Sequence, residues 1–217
     1  MLTHHPLSRA PTGTSRCPRR PPWTALTDAP GIAARLLGTD SVRYQHTAGV
    51  ARAANRARGA APPSDAPILL AAAWLHDIGY AGTLTDTGFH PLDGARYLHR
   101  IDAPTRLCRL VAHHTAAQVE AAERGLVHEL MTEFPPEHSP TADALTYADL
   151  TTAPDGAPVS ADHRITEILT RYPPDHPVHH AIQMATPLLL VTAARVDQRL
   201  ADRRSRRALR GHSCAPG

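Results

Sequence analysis

The chain has 217 residues, which is long enough for one well-buried core and short for two. Hydrophobic residues make up 42% of it but aromatic residues only 4%, so alanine and leucine must supply the packing, which favours helix contacts over a sheet. The formal charge of +3 arises at the ends, because residues 1–27 carry four arginines and residues 203–217 carry five, with no acidic residue in either range.

The two basic ends are predicted to be disordered tails. The first, residues 1–27, is polar and has five prolines among its first 22 residues, and the second, residues 203–217, is rich in arginine. Basic tails can contact nucleic acid or an anionic surface, but most are simply solvated, so we do not expect nucleic acid as a partner. No stretch is apolar enough to cross a membrane, and the three cysteines are too few and too scattered for a disulfide framework. We therefore expect a cytoplasmic protein without membrane association.

The segment between the tails, residues 28–202, has the periodicity of helices and no alternating strand pattern. Ser41 is placed to cap a helix that continues to about Arg58. The run from Ile68 to Leu75 is entirely apolar and marks the buried centre of the domain. Further helices are predicted at about 32–37, 91–101, 105–117, 118–131, 141–150 and 161–172, and from about 177 onward. We predict an all-α fold, a single domain of about seven to nine helices.

The doublet His76-Asp77 follows this apolar helix directly, and other histidines and an aspartate lie within or beside the predicted helices around it. They are His46 upstream and His90, His113, His114 and Asp149 downstream. Imidazole nitrogens and carboxylate oxygens are the ligands of a borderline divalent cation such as iron, manganese, zinc or cobalt. Helix neighbours differ in direction by about 100°, so the members of each doublet could approach one site from different angles. Spacing alone does not say which of His113 and His114 points inward.

This order of residues, with the His90-Pro91 dipeptide and the histidine pair, resembles the HD superfamily of metal-dependent phosphohydrolases, and in particular its dinuclear branch. The resemblance covers about residues 41–150. It implies two divalent transition metals per chain. The residues implied for the first metal are His46, His76, Asp77 and Asp149. Those implied for the second are Asp77 as a bridge, with His90, His113 and His114.

The resemblance also implies an activity, the hydrolysis of a phosphate ester or anhydride by attack of metal-bound hydroxide, with His76 and Asp77 as catalytic residues. The expected substrate is a nucleotide or another small phosphorylated molecule. Tyr80 stands where many dinuclear members have a phosphate-contacting lysine, and no Gly-Tyr-Pro element follows the histidine pair, which argues against cyclic-di-GMP. Arg43 and Arg164 are candidate substitutes, because a guanidinium group binds phosphate through two donors.

Two other functions stay open from the sequence. Some dinuclear HD proteins are di-iron oxygenases that activate dioxygen, and the ligand set does not distinguish them from hydrolases. A non-catalytic helical module could instead bind a nucleotide or a partner through the basic ends. The native metal, the substrate and the formation of a homo-oligomer are not determined by the sequence.

Overall fold

The computed structural model describes Leu26 and residues 28–212, and this part of the chain folds into ten α-helices. They are α1 (Ala29–Leu37), α2 (Val42–Ala57), α3 (Ala66–Leu75), α4 (His90–Arg100), α5 (Thr105–Ala112), α6 (Ala117–Glu123), α7 (Val127–Glu133), α8 (Pro140–Leu150), α9 (Ala161–Arg171) and α10 (Pro177–His212). Over the same residues there is no strand, only an isolated antiparallel bridge between Thr152 and Pro158. The all-α prediction is confirmed, with ten helices in place of seven to nine.

The additional helices arise where local backbone geometry interrupts a predicted helix. The helix predicted over 105–117 ends at Ala112, and Thr115 and Ala116 then take left-handed conformations with φ of 48° and 57°. The stretch predicted as one helix over 118–131 is divided at Gly125, whose φ is 71°. Glycine adopts that conformation without steric cost, whereas threonine and alanine adopt it only when the surrounding contacts hold them there.

Serine caps fix the start of two of the helices that carry candidate ligands, α2 and α8. The hydroxyl of Ser41 accepts a hydrogen bond from the backbone N–H of Tyr44 at 3.0 Å, as the sequence predicts for the start of α2. Ser139 caps α8 in the same way by accepting from the N–H of Ala142 at 3.1 Å. Such a cap satisfies one of the otherwise unpaired donors of the first turn and sets the register of the helix.

The apolar helix α3 lies at the centre of the core, as predicted. Its Leu69 and Leu75 have no exposed surface, and it packs against α1, α2, α5 and α8. A close backbone contact follows at Gly79, where a Cβ atom would lie only 2.0 Å from the carbonyl oxygen of His90. Glycine is therefore required there, and its absence of a side chain lets the end of α3 and the start of α4 come together.

The C-terminal boundary differs from the prediction. Helix α10 continues to His212, past the predicted limit of the domain at residue 202, and residues 201–209 are exposed along it. Residues 1–25, 27 and 213–217, which make up the rest of the predicted tails, lie outside the described residues. None of the helices described is long and apolar enough to cross a membrane.

Candidate metal centre

Five segments of the fold bring six of the seven predicted ligands together. They are contributed by α2 (His46), the end of α3 (His76 and Asp77), the start of α4 (His90), the turn after α5 (His114) and the end of α8 (Asp149). We call this set the His/Asp cluster. Residues from 46 to 149 meet in it because α2, α5 and α8 pack against the central α3, while α4 packs against α5 and the turn Ile78–Tyr80 that follows α3. Most of these side chains are buried, including His76, which has no exposed surface.

Asp77 occupies the middle of the cluster. Its Oδ1 lies 3.4 Å from Nε2 of His76, 3.3 Å from Nε2 of His90 and 3.8 Å from Nε2 of His114. Its Oδ2 lies 3.9 Å from Nε2 of His46. The two carboxylate oxygens thus face different histidines, which is the arrangement that a bridging carboxylate requires.

Asp149 forms the other acidic side of the cluster. Its Oδ1 lies 3.0 Å from Nε2 of His46 and 3.9 Å from Nε2 of His76. Its Oδ2 accepts a hydrogen bond from the hydroxyl of Thr115 at 2.5 Å. The left-handed backbone at Thr115 directs this side chain towards the aspartate. Thr115 is not among the residues predicted for the site.

The histidines turn the same ring nitrogen towards the centre. Nδ1 of His76 lies 3.0 Å from the carbonyl of Ala73, and Nδ1 of His114 lies 2.7 Å from the carbonyl of Val111. A carbonyl only accepts, so each Nδ1 carries the proton and donates it. Nε2 of a neutral ring then presents a lone pair, and the buried Nε2 of His76 has no hydrogen-bond partner. Histidine ligands of metals are oriented by this kind of hydrogen bond.

The donor atoms fit a divalent transition metal. One group that could hold an ion consists of His46, His76 and Asp149, and another of His76, Asp77 and His114, with the ligand atoms of each group within 4.8 Å of one another. Their nitrogen and oxygen atoms suit iron, manganese, zinc or cobalt. Within the described residues, the unpartnered Nε2 of His76 is an observation that a bound cation explains directly.

The charges in the cluster favour cation binding. Burial opposes ionisation of Asp77, but its surroundings, including the guanidinium group of Arg43, outweigh it and hold the pKa of this carboxyl group well below its ordinary value. Burial lowers the pKa of His76 and His90, so both rings are held neutral. Ionised carboxylates beside neutral imidazoles are the protonation states that metal ligands need.

His46 and Asp149 face each other through Nε2 of the ring and Oδ1 of the carboxylate. When the ring is neutral with its proton on Nδ1, both of these atoms are hydrogen-bond acceptors. Nδ1 of His46 is 3.0 Å from the carbonyl of Ala153, to which it can donate. Burial opposes a charge on His46, but the hydrogen bond with Asp149 outweighs it and raises the pKa of the ring. Either a proton or a cation bound by both residues satisfies this pair.

Arg43 and Tyr80 form a wall beside the cluster. Nη1 of Arg43 donates to Oδ2 of Asp77 at 2.6 Å, and its guanidinium carbon lies 3.9 Å from the centre of the Tyr80 ring. That ring in turn stacks on His90 with 4.0 Å between ring centres. Arg43, a predicted phosphate contact, therefore lies at the cluster. Tyr80, which departs from the family pattern, lies beside it.

Helix α9 supplies further arginines to the cavity above the cluster. Arg164, the second predicted phosphate contact, is buried, and it lines this cavity together with Arg171 and Tyr172. Both arginines donate to Glu167. Sequence reasoning missed Arg171, although it lies seven residues after Arg164 and therefore on nearly the same face of a helix.

His113 does not join the cluster. Its Nε2 lies 2.5 Å from the backbone carbonyl of Phe134, which follows α7. The reason is the end of α5 at Ala112, after which His113 and His114 direct their rings to different sides. The predicted ligand role of His113 therefore has no support in this geometry, and His114 occupies the position at the centre.

Comparison with known families agrees with this architecture. The family model of the HD domain matches residues 43–153, just over half of the chain, and this range contains all six members of the His/Asp cluster. The chain belongs to the HD domain family. HD domains bind divalent metals, and membership supports a metal-dependent hydrolase activity for this chain. No curated protein and no solved structure matches it.

Proposed function

We propose that the protein is a phosphohydrolase that uses two divalent metals to cleave a phosphate ester or anhydride of a small molecule, preferably a nucleotide. The observation that carries this proposal is the convergence of guanidinium groups on the His/Asp cluster. Arg43, Arg164 and Arg171 line one cavity with Asp77 and Asp149 at its base. Arginine is the side chain best suited to bind phosphate oxygens in pairs.

In this proposal the first metal is held by His46, His76, Asp77 and Asp149. The second is held by Asp77, His90 and His114. A divalent cation at such a site lowers the pKa of a coordinated water molecule and neutralises charge on a phosphoryl group. The remaining residues of the cavity bind and orient the substrate.

The arginines have a binding role in this scheme. Arg43 is partly exposed and already bonded to a carboxylate, so it can turn one donor to a phosphate oxygen while the other keeps its contact with Asp77. Arg164 and Arg171 are anchored by Glu167, which orients their guanidinium groups before substrate arrives. Ordered side chains lose less conformational entropy on binding than free ones.

The cavity also has an apolar surface, which favours a substrate with a ring. It is supplied by Ile168 of α9, by Tyr172 just after α9, and by Val178 and Ile182 of α10. A bare inorganic phosphate chain would leave this surface unused. A nucleotide would place its base against the apolar side and its phosphate beside the arginines.

The test is an activity screen of the purified full-length chain with p-nitrophenyl phosphate and with nucleoside mono-, di- and triphosphates, in the presence of manganese, iron, zinc or cobalt. We expect metal-dependent phosphate release without oxygen consumption. The Asp77→Ala variant should lose turnover by roughly 1,000-fold or more while its helical circular dichroism is unchanged. Metal content is measured on both proteins.

Three results would contradict the proposal. Phosphate release that persists in folded Asp77→Ala protein would exclude the mechanism. Oxygen consumption with an electron-paramagnetic-resonance signal of mixed-valent iron, and no phosphate release, would identify the di-iron oxygenase instead. If deletion of the basic ends removes ligand binding while the metal ligands prove dispensable, the non-catalytic module is correct.

A further inference from the structure

A second cavity, of about 660 Å³, lies where α2, α8 and α10 meet. We call it the α10 cavity. It is separate from the His/Asp cluster, because none of the six clustered residues lines it. On α2 it begins near Ala53, which is seven residues, or about 10 Å of helix, beyond His46. Its volume lies in the range of cavities that bind small molecules.

The α10 cavity is lined by an unusual concentration of positive charge. The basic residues at its surface are Arg56, Arg58, Arg203, Arg204 and Arg207. The lining contains no aspartate or glutamate. Two chain regions that are far apart in sequence contribute these arginines, one at the end of α2 and the other in the last turns of α10.

These arginines differ from others on the same helix in lacking an acidic partner. Arg195 and Arg199 both form ion pairs with Asp143, at 3.2 and 2.7 Å. In contrast, Arg203 donates to the carbonyl of Gly59 and Arg204 to that of Leu200, each at 3.3 Å. Arg58 donates to the neutral side chain of Asn55 at 3.1 Å. None of the five lining arginines forms an ion pair with a carboxylate of the described residues. Like charges held this close repel, and a bound polyanion would relieve the repulsion.

The other lining residues of the α10 cavity indicate which kind of chemical group is attached to the anion. Pro158, Val159 and Leu200 form an apolar side, with the ring of Tyr147 beside them. The hydroxyl of Tyr147 is occupied, since it donates to Asp197 at 2.8 Å, so the ring is held in place. Small residues of α2, among them Ala53, leave room for a ligand. The cavity therefore combines several guanidinium groups with a surface suited to an apolar or planar group.

The geometry points to a binding site for a nucleoside polyphosphate in the α10 cavity, separate from the candidate metal centre. Two or more linked phosphates engage the arginines, and the nucleoside lies against Pro158, Val159 and Leu200. A concave site favours a small ligand over nucleic acid, which would need phosphate contacts spread over a longer surface. This inference does not depend on the proposed hydrolase activity.

Isothermal titration of the full-length protein as purified, at fixed ionic strength, tests the inference. The probes are adenylyl imidodiphosphate, whose terminal bridge resists hydrolysis, and inorganic tripolyphosphate. We expect the Arg203→Ala/Arg207→Ala double variant to bind both probes roughly 10-fold or more weakly, since each charge-assisted contact contributes about 1.5–3 kcal/mol, or about 10-fold or more. Circular dichroism checks that the variant is folded.

Two matched controls locate the binding event. Arg206→Ala removes the same charge from the same helix but not from the cavity lining, and its affinity should stay within about 2-fold of wild type. Arg171→Ala alters the cavity above the His/Asp cluster, so it identifies any binding event there, and it should leave the binding event that depends on Arg203 and Arg207 unchanged. Tighter binding of the imidodiphosphate than of tripolyphosphate would show that the apolar side contributes.

Four outcomes would overturn the inference. They are no saturable binding of either probe to wild type, equal losses in Arg206→Ala and the double variant, loss of one and the same binding event in Arg171→Ala and the double variant, or unchanged binding by the double variant. A 20-nucleotide single-stranded RNA is titrated in parallel. If it binds far more tightly than either probe and depends on Arg203 and Arg207, the surface is a nucleic-acid site instead.

Discussion

The two arginine-lined cavities of this protein differ in how their charges are balanced. Above the His/Asp cluster, Arg43 is paired with Asp77, and Arg164 and Arg171 are paired with Glu167. In the α10 cavity, Arg203 and Arg204 have only backbone carbonyl partners. A paired arginine is held in one orientation and contributes directed hydrogen bonds, whereas a group of unpaired arginines attracts anions with less dependence on their shape.

This difference suits the cavity above the His/Asp cluster to the proposed reaction and the α10 cavity to binding alone. The cavity above the cluster combines oriented donors with buried histidines and carboxylates, which is what a reaction at phosphorus requires. The α10 cavity has no aspartate, glutamate or histidine in its lining, so binding alone is expected there. Variants of residues in and between the two cavities can remove or sharpen this distinction.

The largest effect on metal affinity and turnover is expected at His114, one of two adjacent histidines. His114→Ala removes a ring nitrogen that lies 3.8 Å from Asp77, so we expect metal affinity and turnover to fall by roughly 100-fold. His113→Ala is the matched control, because its ring faces the carbonyl of Phe134, and both quantities should stay within about 3-fold of wild type. Metal analysis and steady-state kinetics give the answer. If His113→Ala has the greater effect, the assignment of His114 to the site is wrong.

The second experiment compares one arginine variant from each of the two cavities. Arg171→Ala should raise KM for the phosphorylated substrate by roughly 10- to 30-fold with a smaller change in kcat, because it removes a charge-assisted contact to substrate. Arg203→Ala should leave KM unchanged and weaken binding of tripolyphosphate. Steady-state kinetics and titration on the same two variants separate the effects. If each variant alters both properties, the two cavities bind one ligand and the distinction fails.

The third prediction concerns Thr115, whose hydroxyl donates to Asp149. Thr115→Val keeps the shape of the side chain but removes the donor, so Asp149 is less firmly oriented, and metal affinity should fall by roughly 10-fold. Thr166→Val is a control in which an exposed threonine of α9 loses a hydroxyl bonded only to its own helix. Competition with a metal-sensitive dye measures both. Equal affinities in the two variants would remove Thr115 from the metal centre.

The sequence was informative where local pattern determines structure. The helical fold, the start of α2 at Ser41 and the burial of α3 all follow from periodicity and capping. The order of His46, the doublet His76-Asp77 and Asp149 pointed to the cluster before any geometry was known. These features depend on residues within a few turns of each other, or on a family pattern that preserves their order.

The other features of the fold and the site depend on tertiary contacts, which a local sequence pattern does not reveal. The choice between His113 and His114 is made by the end of α5 at Ala112, which is followed by a left-handed turn at Thr115 and Ala116, two residues that ordinarily avoid that conformation. The α10 cavity joins the end of α2 to the last turns of a helix about 145 residues later. The α10 cavity was not predicted, because the arginine-rich segment 203–217 was expected to be a solvated tail and not part of a helix.

The smallest effect is expected at an ion-pair network remote from both cavities. Asp65, just before α3, accepts hydrogen bonds from Arg106 at 2.7 Å and from Thr141 at 2.6 Å. The hydrogen bond from Arg106, with that from Thr141, lowers the pKa of Asp65 to about 2. A carboxyl group whose pKa is lower in the folded than in the unfolded state stabilises the fold above its unfolded pKa of about 4 and loses this contribution as the pH falls towards 2.

Asp65→Asn should therefore lower the free energy of unfolding by about 1 kcal/mol at pH 7, after allowance for solvent screening, and by progressively less below pH 4. Urea denaturation at pH 7 and pH 3 measures this difference. Asp175→Asn, at an exposed aspartate with no ion pair among the described residues, controls for the change in net charge. Because Asp65 lies far from the ligands, metal content should not change. A loss of metal in Asp65→Asn would mean that the ion-pair network of Asp65 and the His/Asp cluster are coupled through α3. Stability and metal binding would then not be independent of each other.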